Sequence, residues 1–553
     1  MVGFNNKVAF LLLVIICFAF FVMGRRRAKE VKVWKSNTTF RLDNTIILTS
    51  IISFILILGT GFVFSFKNFY GFIEDSYFLH YIYAVKYGAD LYGEIQYIYG
   101  PLCVYPVIWL DTLFGIPTVY SYYLILGLYQ IVGIIMTSYV LSKFNLQERE
   151  RKYILIVISI FTFPYTWGLN NSLLRYSIAP FFLSYLLLGN NLHRIYSTLF
   201  FVIFSSFLTL MYSPEIGLCY VGALSIWLVF DGINKKKIQN AYYLISSFFS
   251  FFILITIKPE YLSSVVQAGA GGTNFPFVPS LILLLFFLCL FTVSDVFGSQ
   301  SLKIKDNYSV MSIELLFFSL AVAAMGRCDP GHIISFGLFL LVISYIELTC
   351  FFSRRSIVLI FLVCLSTFFA YQTIVFKSCL AQAVNSNVET IQSYINKDLI
   401  CSKLLKSKLS NILDKDNNII SFDFSDETVT SIGIDNCSYY YLLENTNYIH
   451  TFYHHNPRWI GTKAGFDKEI ESLNKVNAKY IVLPIEYENL WMHSNDFSIL
   501  NILFCSYYPV RPYRTYNKAL YGDLIYYLKT NYDMIDSNDN IVIMRRKTLY
   551  SYE

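Results

Sequence analysis

Long apolar runs broken by short polar stretches dominate the first 376 residues. A run of roughly 17–25 mostly apolar residues forms a helix long enough to cross about 30 Å of hydrocarbon. Such runs lie near 8–23, 45–66, 117–141, 153–168, 174–189, 197–213, 215–230, 239–257, 280–297, 308–326, 333–352 and 356–376. The first is preceded only by Lys7, has no small-residue cleavage site and is followed by basic residues, so it reads as an uncleaved span. From 377 the chain turns polar and the period changes. Helix-like stretches at 384–412 and 466–476 alternate with strand-like Ile419–Phe424, Tyr480–Leu483 and Asn540–Met544, the pattern of a small α/β domain. The expected architecture is an α-helical polytopic membrane protein of about twelve transmembrane helices over 1–376, with a soluble α/β domain over 377–553.

The loops between runs give the orientation. Alternate loops carry Arg25, Arg26, Arg27, Lys29, Lys32, Lys35 and Arg41, then Lys143, Arg149, Arg151 and Lys152, then Arg194. Lys235, Lys236, Lys237, Lys303, Lys305, Arg354 and Arg355 continue the series, nineteen residues against six (Lys7, Lys67, Lys86, Arg175, Lys258 and Arg327) on the other side. Basic loops stay in the cytoplasm, so the other loops, both termini and the C-terminal domain are expected to be extracytoplasmic. A long outer loop spans 67–116; its semi-apolar stretch 97–114 reads as a juxtamembrane helix, because counting it as a span would put Lys235–Lys237 outside. The Gly-rich segment Gln267–Asn274 also falls outside.

Composition agrees with a membrane chain: 55% of the residues are hydrophobic and only 14% charged, too little charge to cover a soluble protein of 553 residues. Its 45 tyrosines and 50 phenylalanines suit long membrane interfaces. No nucleic-acid partner is indicated. The 11 cysteines show no CxxC or zinc spacing; Cys379, Cys401, Cys437 and Cys505 lie where an oxidising compartment would let them pair.

Candidate chemistry gathers on the outer side. Glu74 and Asp75 open the long loop just after the second span, near hydrocarbon, where acids are costly and often functional, although an interfacial acid is also simply solvated. One of them suits a general base taking a proton from an acceptor hydroxyl; its neighbour would raise its pKa or help hold a divalent cation, magnesium or manganese, at a metal site left unassigned. Tyr99-Gly100-Pro101-Leu102 follows as a turn into the juxtamembrane helix. Arg175 stands after the outer turn Asn170-Asn171-Ser172, where an arginine often snorkels to the interface; it is also a candidate, with Arg327 and His332, for binding the phosphate of a donor. Ser213-Pro214-Glu215 fits an N-cap, a first-turn proline and an acid on a helix N-terminus, an account as good as a functional one. In Arg327-Cys328-Asp329-Pro330-Gly331-His332, Asp329 and Pro330 suit a helix start; Arg327 and His332 suit a phosphate at the membrane surface. The histidines at 450, 454 and 455 lack helical metal spacing, and Asp414, Asp416 and Asn418 lack the Gly and Glu of a calcium loop.

From Glu74-Asp75 through Tyr92 to Tyr99-Gly100-Pro101-Leu102, and again at Arg327, Asp329 and His332, the chain resembles the GT-C superfamily of membrane glycosyltransferases, in particular bacterial relatives of protein mannosyltransferases and aminoarabinose transferases. The resemblance is best over 71–115 and loose over 45–376; an additional span precedes the usual first one, and Tyr-Gly-Pro-Leu stands where those proteins have His-Pro-Pro-Leu. It implies inverting transfer from a polyprenyl-phosphate sugar donor to a glycan, lipid or protein acceptor, with Asp75 as base. A cell-envelope oligosaccharide polymerase or ligase built on Arg175 and Arg327 competes with that reading. A lipid or sugar transporter competes less well, since no repeat is present and the acids inside spans, Glu314 and Glu347, fall near predicted ends.

Overall fold

The computed structural model describes residues 33–35, 40–65, 73–95, 97–161, 168–189, 195–262, 308–324, 335–351, 427–432, 447–448, 463–484, 518–537 and 541–547. Three expected spans, 8–23, 280–297 and 356–376, lie outside these residues, as do the helix expected at 384–412, the strand expected at 419–424, the segment Gln267–Asn274 and the cysteines at 379, 401, 437 and 505. The other nine runs each form a helix.

These are α1 (Asn44–Ser65), α4 (Thr118–Ser142), α5 (Glu148–Phe161), α6 (Leu173–Leu188), α7 (Ile195–Tyr212), α8 (Pro214–Lys235), α9 (Gln239–Ile257), α10 (Tyr308–Ala324) and α11 (Leu338–Phe351). Helices α4, α7, α8 and α9 are each long and apolar enough to cross a membrane. Large apolar side chains on their outer faces, among them Phe200, Phe204, Ile245, Phe249 and Phe252, are exposed, an arrangement that hydrocarbon covers and water does not. This is the helical part of a membrane protein. Helix α4 packs between α1 and α6; α7, α8 and α9 pack on one another, and α10 lies on α8 and α6.

One helix start and one helix end differ from expectation for an electrostatic reason. Residues 149–152, read as loop, are wound into α5, where Glu148 and Glu150 sit on the positive N-terminus and Glu148 accepts from Lys152 at 2.7 Å one turn on. Helix α8 runs past 230 to Lys235 because Asp231 is buried but paired, with Lys235 at 2.6 Å and with Asn240. Glu314, expected near an end, lies in the second turn of α10 at 2% exposure. It accepts a hydrogen bond from Trp34 Nε1 at 2.8 Å. The segment around Trp34 is tied in turn to Phe144 by ring stacking at 4.6 Å and by a backbone bond from Lys35 to the Lys143 carbonyl.

The outer loop holds more structure than the one surface helix expected at 97–114. Helix α2 (Ile73–Lys86) opens it, then a 3-10 turn (Pro101–Cys103) leads into α3 (Tyr105–Phe114). Pro101 and Pro106 both occupy first-turn positions, where a missing N–H costs nothing, and Gly115 closes α3 in the left-handed region at φ 66°. Trp109, Leu113 and Phe114 are exposed, as on a helix lying along a membrane surface.

In the C-terminal part a five-stranded sheet runs in the order β2–β1–β3–β5–β4, from β1 (Thr428–Ser431), β2 (Asn447–Tyr448), β3 (Tyr480–Pro484), β4 (Tyr532–Ser537) and β5 (Ile541–Arg546). Strand β1 pairs in parallel with β2 and β3, whereas β5 is antiparallel to β3 and β4. Helices α12 (Lys463–Val476) and α13 (Lys518–Asn531) bury Leu473, Leu524 and Leu528 against Ile481, Leu483, Val542 and Met544 on one face. The two runs expected as strands here, at 480–483 and 540–544, are β3 and β5, and the helix expected at 466–476 is α12; β1, β2, α13 and β4 are additional elements without a clear period in the sequence.

Candidate functional site

Three of the singled-out residues, Tyr99, Arg175 and Glu215, come from distant stretches of the chain and meet at one end of the helical part. Backbone contact brings them there. Gly100 N donates to the Tyr212 carbonyl at 3.1 Å, and a Cβ on Gly100 would stand 2.0 Å from the Met211 oxygen, so only glycine admits this approach. That seats the Tyr99-Gly100-Pro101-Leu102 turn against the α7–α8 junction. At the next junction, a Cβ on Gly133 of α4 would stand 2.4 Å from Leu174 N, so α4 and α6 touch through backbone.

Buried polar side chains then fix the Leu169–Asn171 turn that precedes Arg175. Tyr122 Oη accepts from Leu169 N at 3.2 Å, and Gln130 Oε1 accepts from Leu173 N at 2.9 Å. Tyr212 Oη donates to the Leu169 carbonyl at 3.0 Å and shares a 2.6 Å hydrogen bond with Ser172 Oγ. The Leu169 and Leu173 amides stand at helix starts, where they would otherwise be orphaned in an apolar interior. Gln130, an amide in the middle of an apolar run, was a legible signal of this role.

Arg175 does not snorkel. Its side chain is 4% exposed and turns inward. Nη1 donates to the Asn170 carbonyl at 3.1 Å and Nη2 donates to Glu215 Oε1 in an ion pair. The guanidinium carbon lies 5.1 Å from the ring centroid of Tyr99 and 5.1 Å from that of Phe336, within cation–π reach of both. Nε is buried and has no hydrogen-bond partner among the described residues. Tyr99 is held from its other side, since its hydroxyl accepts from Asn170 Nδ2 at 2.8 Å.

Glu215 lies in the first turn of α8, as expected, but capping does not account for the motif. Ser213 takes the N-cap position with extended backbone and makes no side-chain capping hydrogen bond; its hydroxyl is buried without a partner among the described residues. The acid is directed to Arg175 instead.

Around this cluster the outer loop is pinned by ion pairs, Lys258 to Asp90 at 2.5 Å and Lys86 to Asp111 at 2.7 Å. Tyr92 has φ 75°, a conformation that costs a side-chain-bearing residue of order 1–3 kcal/mol. Its hydroxyl donates to the Tyr99 carbonyl at 2.7 Å and its ring meets Tyr261 edge-on at 4.9 Å, contacts that hold it there. Burial raises the Tyr92 hydroxyl well above its ordinary range, so it remains a donor. Burial also pushes the Cys103 thiol up to about 12, and it faces the Tyr212 carbonyl at 3.7 Å as a neutral group.

Glu74 and Asp75 fall within the first turn of α2, but their side chains lie outside the described residues. Arg327, Asp329 and His332 also lie outside them. Among the described residues no three His, Cys, Asp or Glu side chains form a metal-binding group.

No protein-family model matches the sequence, and neither does any curated protein. Among solved structures, the crystal structure of ArnT from Cupriavidus metallidurans bound to undecaprenyl phosphate is similar over 91% of this chain and 98% of that one, at 9% identity and a TM-score of 0.40. A likeness that weak carries no argument about activity or ligand.

Proposed function

We propose that the chain is a glycosyltransferase of the membrane that moves a sugar, with inversion, from a polyprenyl-phosphate donor to an extracytoplasmic glycan, lipid or protein acceptor. The observation that carries the reading is the convergence of Tyr99 and Glu215 on the buried Arg175 at the end poor in basic residues. A buried arginine beside aromatic rings at a membrane surface is a seat for a lipid phosphate. Phe78 of α2 meets Tyr99 at 5.2 Å between ring centroids. Asp75 stands three residues before Phe78, a spacing that puts two positions on one helix face. His332 stands four residues before Phe336, which lies against Arg175.

In the transfer, the acceptor oxygen attacks the anomeric carbon and its proton passes to the Asp75 carboxylate. The bond from that carbon to the phosphate oxygen breaks, and the leaving polyprenyl phosphate keeps the electron pair. Arg175, with Arg327 and His332, neutralises that charge. Glu74 tunes Asp75. A magnesium or manganese ion held by these two acids would supply the same neutralisation. The site and the α/β domain face outward from the cell inner membrane.

The test is transfer by purified protein in lipid nanodiscs, read as release of polyprenyl phosphate from a labelled donor. Asp75→Asn keeps the shape and removes the basic oxygen, so turnover should fall by at least about a hundredfold with donor binding unchanged. Glu74→Gln should cost less, and a chelator separates tuning from metal binding. Wild-type turnover by folded Asp75→Asn would refute the base and favour the arginine-based polymerase or ligase.

A further inference from the structure

Arg175 is half-used. A guanidinium presents three donor edges, and the one formed by Nε and Nη2 matches two oxygens of a phosphate or carboxylate side by side. Here Nη1 is committed to the Asn170 carbonyl and Nη2 to Glu215 Oε1, so one of the two nitrogens of the Nε–Nη2 edge is already engaged. Nε is left buried with no partner among the described residues. A buried donor without an acceptor is unfavourable, and here it sits on a charged group, where the cost is larger. An acid built to complete this arginine permanently would face both nitrogens. The two partners also differ in surroundings: the Arg175 side chain is 4% exposed and that of Glu215 is 47% exposed. Arg175 lies against the rings of Tyr99 and Phe336 and is bonded to the Asn170 carbonyl, contacts that keep it inside. Glu215 can leave. It stands on the first turn of α8, where the helix N-terminus continues to favour its charge once it points to solvent.

We infer that Glu215 is a tethered stand-in for the phosphate of the lipid donor: it neutralises Arg175 in the resting protein and swings to solvent when a lipid phosphate takes the Nε–Nη2 edge with two oxygens. The inference rests on the donor reading above and adds to it a competition within the site. The resting pair keeps a buried cation compensated between turnovers, and its displacement lowers apparent affinity for the leaving polyprenyl phosphate as well as for the donor. Product release is favoured by the same carboxylate that resists binding.

The experiment is titration of the full-length protein in nanodiscs with decaprenyl phosphate and, separately, with inorganic phosphate, read by the shift in unfolding midpoint and by native mass spectrometry. If the resting pair is closed about nine-tenths of the time, Glu215→Gln should bind decaprenyl phosphate about tenfold more tightly than wild type. Glu215→Asp keeps a compensating charge on the same turn and shortens its reach by a methylene, so it should fold even if Glu215→Gln does not and should show a smaller gain. Arg175→Ala should lose decaprenyl phosphate binding. Unchanged or weaker binding by both Glu215 variants, with binding lost in Arg175→Ala, overturns the competition and leaves the donor reading standing. Wild-type binding by Arg175→Ala overturns both. A gain for inorganic phosphate with none for decaprenyl phosphate overturns the assignment to a lipid.

Discussion

Gly100 seats the turn that carries Tyr99 against the α7–α8 junction. Its amide bonds to the Tyr212 carbonyl, and the space where a Cβ would stand is filled by Met211 and Tyr212 backbone. Gly100→Ala therefore forces two backbones apart, not a flexible side chain aside, and overpacking of that kind costs about 1–3 kcal/mol. The expected outcome is a lowered unfolding midpoint together with at least about a tenfold loss of transfer, since Tyr99 is the neighbour displaced from Arg175. Full activity in Gly100→Ala would show that the position of Tyr99 does not matter to the chemistry. Tyr92, strained at φ 75° and bonded to the Tyr99 carbonyl, holds the same residue from the other side.

Among the elements, the crossing of α4 and α6 sets where Arg175 can be. The two helices approach through Gly133 against Leu173 and Leu174, while Gln130 and Tyr122 on α4 bond the residues just before α6. Gly133→Leu should break this crossing and lower stability by about 2 kcal/mol or more, measured as thermal unfolding in detergent. Gly222→Ala in α8 is the matched control. Nothing lies within 4 Å of a Cβ there, so alanine should be neutral or slightly stabilising. Equal losses at both positions would mean that flexibility, not close approach, is what glycine supplies at 133. Helix α2 was hidden for a different reason: Ile73–Lys86 has no long apolar run, and its buried face of Phe78, Leu79 and Ile82 acquires a partner only when the loop folds over the bundle.

At the scale of the whole molecule, contacts among the described residues fall at two ends. At one end Lys35 meets Lys143, Trp34 meets Glu314, and Tyr345 donates to Glu150 at 3.3 Å. At the other end stand Arg175 with Glu215, Lys258 with Asp90, and Gly100 with Tyr212. With the basic end in the cytoplasm, single cysteines at Ser301 and Asn234 should be shielded from impermeant thiol reagents in intact cells, in a background lacking reactive native thiols. One at Thr446 should be labelled. Labelling at Asn234 but not at Thr446 would invert the orientation and remove the outward site.

What the sequence by itself determined is what local physics encodes. Among the described residues, nine apolar runs of membrane length became helices, because hydrocarbon leaves a backbone little choice but to satisfy itself within one segment. Prolines at 101 and 214 marked helix starts, and the runs at 480–483 and 540–544 marked β3 and β5. Arg175, Tyr99 and Glu215 were each visible as chemistry. Their meeting was not, and for Arg175 and Ser213 the local pattern left snorkelling and capping open beside a functional role. A helix terminus looks the same in sequence whether its charge faces water or a buried partner. The difference was made by tertiary structure: two glycine approaches, at 100 and 133, bring three distant segments close enough for a guanidinium to prefer a carboxylate and two aromatic rings to the interface.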